Sequence, residues 1–109
     1  MMNSIEITIN NLNEEKNIMI DIMIDIINNK IKINNQIHNI TKEQIDDLLR
    51  IIRTWSPVYK NKNYLDSESF LIKITDDSRT EIIKGQGDYP DNYQLFKEWI
   101  SEFYEWNNS

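Results

Sequence analysis

Ile18-Met19-Ile20-Asp21-Ile22-Met23-Ile24-Asp25-Ile26-Ile27 is the stretch that decides the fold. Read as a strand, it puts Ile18, Ile20, Ile22, Ile24 and Ile26 on one face and Met19, Asp21, Met23 and Asp25 on the other, because strand side chains alternate. Read as a helix, Glu14, Asn17, Asp21, Asp25 and Asn28 form a polar stripe that also fits. Two features favour the strand. β-Branched Ile dominates the run, and Asn28-Asn29 followed by Lys30-Ile31-Lys32-Ile33 reads as a hairpin turn with its return strand.

Working outward, Ser4-Ile5-Glu6-Ile7-Thr8-Ile9 alternates strictly and predicts a strand with Ile5, Ile7 and Ile9 on one face. Thr41-Lys42-Glu43-Gln44 is a capping box, in which the Thr hydroxyl accepts from the Gln44 amide and the Gln side chain reaches back. The helix it opens buries Ile45, Leu48, Leu49 and Ile52 and stops before Ser56-Pro57. Val58 to Asp66 reads as a polar loop. Phe70, Ile72 and Ile74 alternate, Asp76-Asp77-Ser78 turns, and Thr80 to Lys84 returns. Gly85-Gln86-Gly87 and Tyr89-Pro90 break that strand. Asp91, with Gln94 three residues on, predicts a second capped helix running to about Trp106.

The expectation is one α+β domain over 1–109. Its antiparallel sheet has about five strands in the order β-β-β-α-β-β-α, with two helices on one face. At an offset of 50, Ile22, Ile24, Ile33, Gln36 and Gln44 meet Ile72, Ile74, Ile83, Gln86 and Gln94. In a chain with 21 Ile, duplication and chance both account for this.

At 109 residues the chain buries roughly 65% of its unfolded surface, enough for one core. It has no Cys, so disulfides and thiolate metal sites are excluded. Lys and Arg total 12 against 18 Asp and Glu, a net charge of −6. That sign disfavours nucleic-acid and anionic-membrane binding and suits a basic partner surface. No signal peptide or membrane span is expected. The apolar run at 18–27 is too short and too charged. The 21 Ile, 15 Asn and 9 Lys, with no Ala, follow A/T-rich codons and indicate a low-GC bacterium or its phages as source.

Chemistry finds little support. His38 is the single histidine, but no Ser lies in an elbow motif beside it. The pairs Asp21/Asp25, Asp46/Asp47, Asp76/Asp77 and Asp88/Asp91 lack the glycine and distal Glu of a calcium loop. Gly85-Gln86-Gly87 matches neither dinucleotide-binding nor P-loop spacing. One segment runs against the overall charge: Arg50, Arg53, Lys60 and Lys62 with no intervening acid, and Trp55 and Tyr59 interleaved. Such a pattern can clasp single-stranded nucleic acid, although four cations are a small footprint.

The last quarter carries the strongest functional signal. Tyr89, Tyr93, Phe96, Trp99, Phe103, Tyr104 and Trp106 alternate with carboxylates. Leu95, Phe96, Trp99, Ile100 and Phe103 fit one core stripe. Tyr93, Tyr104 and Trp106 fall off it, while Glu98, Glu102 and Glu105 share a solvent stripe. Exposed Tyr and Trp are typical interface anchors, and packing on the 55–66 loop is the alternative. The expected partner-binding residues are therefore Tyr93, Glu98, Glu102, Tyr104, Glu105 and Trp106, with Asp21 and Asp25.

As a whole the chain resembles two protein types. One is the phage-encoded inhibitor of host defence nucleases, the anti-CRISPR type. The other is the immunity protein that plugs a bacterial toxin. The resemblance implies a non-enzymatic, cytoplasmic binding protein with no cofactor and no metal. Its partner would be a protein with a basic surface, a nuclease or an effector complex. A phage structural or assembly role is the third reading.

Overall fold

The computed structural model describes residues 2–12, 17–60 and 68–104. The chain forms β1 (Met2–Leu12), β2 (Asn17–Asp25), β3 (Lys30–Ile33), β4 (Gln36–Asn39), α1 (Lys42–Ile52), β5 (Val58–Lys60), β6 (Ser69–Asp76), β7 (Thr80–Gln86) and α2 (Tyr93–Ile100). All the strands join one sheet in the order β4-β3-β2-β1-β6-β7-β5. Every pairing is antiparallel except β5 with β7. The fold is α+β, with both helices packed on one face of the sheet.

The decisive stretch is a strand, and burial shows why. Ile20, Ile22 and Ile24 are inside, while Met19 and Met23 stay exposed. A helix would have split these isoleucines around its axis. As a strand, β2 aligns them with Ile9, Ile7 and Ile5 of β1. On the other side of β1 the same three residues meet Phe70, Ile72 and Ile74 of β6. The offset-50 pairs therefore have a structural counterpart. Ile22 and Ile72 both flank Ile7, and they pair outward with Ile33 and Ile83 respectively. α1 adds Ile45, Leu48 and Ile52 to this core, and α2 adds Phe96, Trp99 and Ile100.

Several expectations need correction. The sheet has seven strands, not about five. β4 arises because Asn34 and Asn35 both take positive φ (46° and 76°), the geometry of a tight two-residue hairpin. The short side chain of Asn tolerates this conformation, so these asparagines have a structural role. His38 accordingly lies in β4, exposed. β5 arises where a loop was expected: Lys84 N–H donates to the Pro57 carbonyl at 2.9 Å and extends the sheet edge in parallel.

The second helix ends at Ile100 and unwinds through turns in which the Phe103 and Tyr104 amides both bond the Ile100 carbonyl. Its N-cap is Asn92, without a side-chain cap bond, so the Asp91–Gln94 box does not form. The Thr41–Gln44 box does form, in both directions. Leu95, assigned to the core stripe, is 53% exposed. Leu49 is only partly buried.

Candidate functional site

The aromatic residues are arranged as a cluster inside the molecule. Trp55 meets Phe70 edge-on at 5.6 Å and Phe96 at 5.2 Å, and Phe70 lies 5.2 Å from Tyr93. Tyr89 stacks on Tyr93 at 4.7 Å, and Tyr59 reaches Phe70 at 6.3 Å. Gly85 makes this possible: a Cβ there would lie 2.7 Å from the Phe70 Cζ atom and 3.1 Å from the Asp88 carbonyl. The first glycine of Gly85-Gln86-Gly87 thus provides clearance for a ring.

Glu68 organises the polar side of the cluster. Its carboxylate accepts from the Tyr93 hydroxyl at 2.5 Å and from Lys97 Nζ at 3.1 Å. Its backbone carbonyl accepts from the Tyr89 hydroxyl at 2.6 Å. Burial, with the Glu68 carboxylate beside it, pushes the Tyr93 phenol well above its ordinary value. Tyr93 is therefore a packed, hydrogen-bonded residue and not a free anchor. Tyr104 is likewise partly buried against the core. The surplus of rings over one helix stripe is absorbed mainly by the chain itself.

The helical layer keeps Glu43, Asp46, Asp47, Glu98 and Glu102 exposed. A shallow groove between α1 and α2 is lined by Asp47, Arg50, Ile51, Asn92, Leu95, Glu98, Trp99 and Glu102. Arg50 pairs with Asp47 at 2.9 Å, so its charge is matched locally. Glu98 and Glu102 are exposed, with no ion-pair partner among the described residues. Leu95, one turn before Glu98, offers the exposed apolar side chain that Tyr93 and Tyr104 do not. Sequence periodicity alone placed it wrongly, because it lies at the border of the stripe. Glu105 and Trp106 lie outside the described residues.

Asp21 and Asp25 are not part of this groove. Both lie on the strand face away from the helices. Asp21 Oδ1 accepts from the Thr8 hydroxyl at 3.3 Å. Asp25 closes the β2–β3 turn, accepting from the Asn28 side chain at 2.8 Å and its backbone at 3.2 Å, and these bonds hold its carboxyl below the usual range.

The cationic segment also divides. Arg50 and Arg53 lie at the C-terminal end of α1, and Arg53 lines a cleft with Asp46, Glu81 and the edge of Trp55. Lys60 belongs to β5 on the far edge of the sheet, and Lys62 is outside the described residues. Trp55 is buried and Tyr59 half-buried, and both rings pack against Phe70. Among the described residues no group of three or more His, Asp or Glu is placed to hold a metal ion. No helix among them is long and apolar enough to cross a membrane.

The fold and its surfaces define a two-layer α+β protein with an acidic helical layer over an otherwise open seven-stranded sheet. No protein-family model matches the chain, and neither a curated protein nor a solved structure matches it.

Proposed function

We propose that the protein is a small, non-enzymatic binding protein that inhibits a nucleic-acid-handling defence enzyme, in the manner of an anti-CRISPR protein. The observation that carries this reading is the groove between α1 and α2, which Glu98 and Glu102 line together with exposed Leu95. Carboxylates around an apolar anchor suit a basic surface. They steer it electrostatically, while the apolar contact supplies affinity once water is expelled. A site that normally receives phosphates is the most cationic surface such a protein meets, so occupying it with carboxylates competes with nucleic acid. The overall charge of −6 works in the same direction.

The test is competition. The purified protein is presented to candidate host nucleases and effector complexes with labelled DNA or RNA. Displacement of the nucleic acid, lost when Glu98→Lys and Glu102→Lys are combined in a folded protein, supports the reading. Binding to the enzyme without displacement, or displacement unaffected by the double reversal, rejects it. An immunity protein would use the same kind of surface, and a toxin gene immediately upstream would identify that case.

A further inference from the structure

The sheet face turned away from the helices has an unusual composition. Eight large hydrophobic side chains are exposed among the described residues, and six lie on this face: Met19, Met23, Ile37, Val58, Leu71 and Ile82. The strand registers place them in cross-strand rows, since residues directly opposite share a face. One row runs Ile37, Lys32, Met23, Glu6, Lys73, Ile82. The next runs Asp21, Thr8, Leu71, Lys84, Val58. Antiparallel sheets often leave one face to solvent, but that face is then mostly polar. Here apolar side chains recur from one edge to the other.

The charges on this face are divided. The acids Glu6, Asp21 and Asp25 stand on β1 and β2, while Lys73, Lys84 and Lys60 stand on β6, β7 and β5, where no acid faces outward. Lys30 and Lys32 of β3 complete the set, with Lys30 donating to Asn39 and Lys73 lying 3.9 Å from Glu6. The apolar side chains divide equally, three on each side of β1. A face with its acids on one half, most of its lysines on the other and apolar residues on both is complementary to itself under a two-fold rotation.

The area is also appropriate. Seven strands at about 4.8 Å spacing and about 3.4 Å per residue give this face roughly 700 Å². A standard interface buries about 800 Å² on each partner.

We infer that the open face of the sheet binds a second copy of this chain, pairing two sheets face to face as a two-fold dimer. Met23 and Met19 of one copy oppose Leu71 and Ile82 of the other. Asp21 and Glu6 face the partner's lysine-bearing half. This surface lies on the opposite side of the sheet from the α1–α2 groove, so the dimer would present two acidic layers pointing outward. The inference does not depend on what those layers bind.

Sedimentation equilibrium over a micromolar concentration series tests it, with circular dichroism and thermal melts confirming folding. The wild type is expected to approach twice the 13.1 kDa chain mass. Leu71→Asp with Ile82→Asp should shift it to the single-chain mass with the fold intact. Two charge variants give a second check that needs no apolar change. Lys73→Glu with Lys84→Glu, and separately Glu6→Lys with Asp21→Lys, should each weaken self-association at least tenfold, and mixing the two should restore a dimer. Wild type that stays at single-chain mass throughout overturns the inference. So does a dimer that survives the substitutions, or a monomer that uses this face for a different protein.

Discussion

The Asn92 carboxamide accepts the indole N–H of Trp55 at 2.6 Å and, through its own Nδ2, donates to the Ile51 carbonyl at 2.9 Å. One side chain thereby links the end of α1, the core tryptophan and the start of α2. This explains why the Asn92 side chain does not cap its own helix. Both bonds are part-buried, so Asn92→Ala leaves a donor and a carbonyl without partners. We expect a loss of about 1–3 kcal/mol in urea unfolding. A loss of only a few tenths would mean that water replaces the carboxamide and that the link is incidental.

Gly85→Ala tests the clearance under Phe70. The new methyl would press on the ring and on the Asp88 carbonyl, and overpacking of this kind costs about 1–3 kcal/mol. Phe70→Leu shrinks the ring, so the double variant should be less destabilised than the sum of the two single changes. Additive effects in a denaturant-based double-mutant cycle would show that the two residues are not in conflict.

Asn92 and Gly85 have roles that the sequence conceals. Alternation was legible wherever a strand is buried on one face only, as in β1, β2 and β6, because period-two patterning reports that burial directly. β4 and β5 were not legible. They are edge strands of four and three residues with little or no burial, so no hydrophobic period marks them. The Asp91–Gln94 pattern misled because capping-box spacing does not fix which residue leaves the helix first. Asn92 is committed instead to Trp55. Of the candidate site, the acidic stripe was visible and the fate of the rings was not. Helical spacing says which rings leave the core stripe, but not that Phe70 and Trp55 wait on other elements to receive Tyr93.

Alkaline titration should reveal that packing. Tyr93 holds its proton in the folded chain well above its ordinary value of 10.0, so above about pH 10 the unfolded chain releases a proton that the native state retains. Stability contributed by this group is fully present below the unfolded value and declines as pH rises past it. Tyr93→Phe cannot ionise. It should cost about 1.5–3 kcal/mol near neutral pH through the lost bond to Glu68, yet lose less further stability than wild type between about pH 9 and pH 11. Parallel stability curves for the two proteins would rule out Tyr93 as the source of the alkaline decline.

The acid side has the opposite sign. Asp76 accepts from the Ser78 and Arg79 amides, and Asp77 from the Asn3 side chain. These bonds hold both carboxyls below the ordinary 3.8. Their contribution is present above that value and disappears as pH falls through the lower, folded-state values. The β6–β7 hairpin should therefore loosen in acid. Amide exchange of Ser78 and Arg79 is the measurement, and Asp76→Asn should raise their exchange at neutral pH. Protection unchanged in that variant would mean that the turn is held by the ladder alone.

Substitutions in the α1–α2 groove should separate binding from folding. Leu95 is more than half exposed, so Leu95→Ala should leave the melting curve nearly unchanged while weakening partner binding by about 1–2 kcal/mol. Reversing Glu98 and Glu102 to Lys removes steering rather than packing. Association should slow, and its rate should lose most of its dependence on salt, whereas dissociation changes less. Tyr93→Ala and Tyr104→Ala should behave differently. Both rings pack against the core, so these variants should lower stability, and any loss of binding should follow the fraction unfolded. Stopped-flow association at several ionic strengths, with melts of each variant, distinguishes the cases. If folded Leu95→Ala and the double reversal associate at the wild-type rate and affinity, the helical groove is not the binding surface. The open face of the sheet, where Asp21 lies between Met19 and Met23, then becomes the place to look for it.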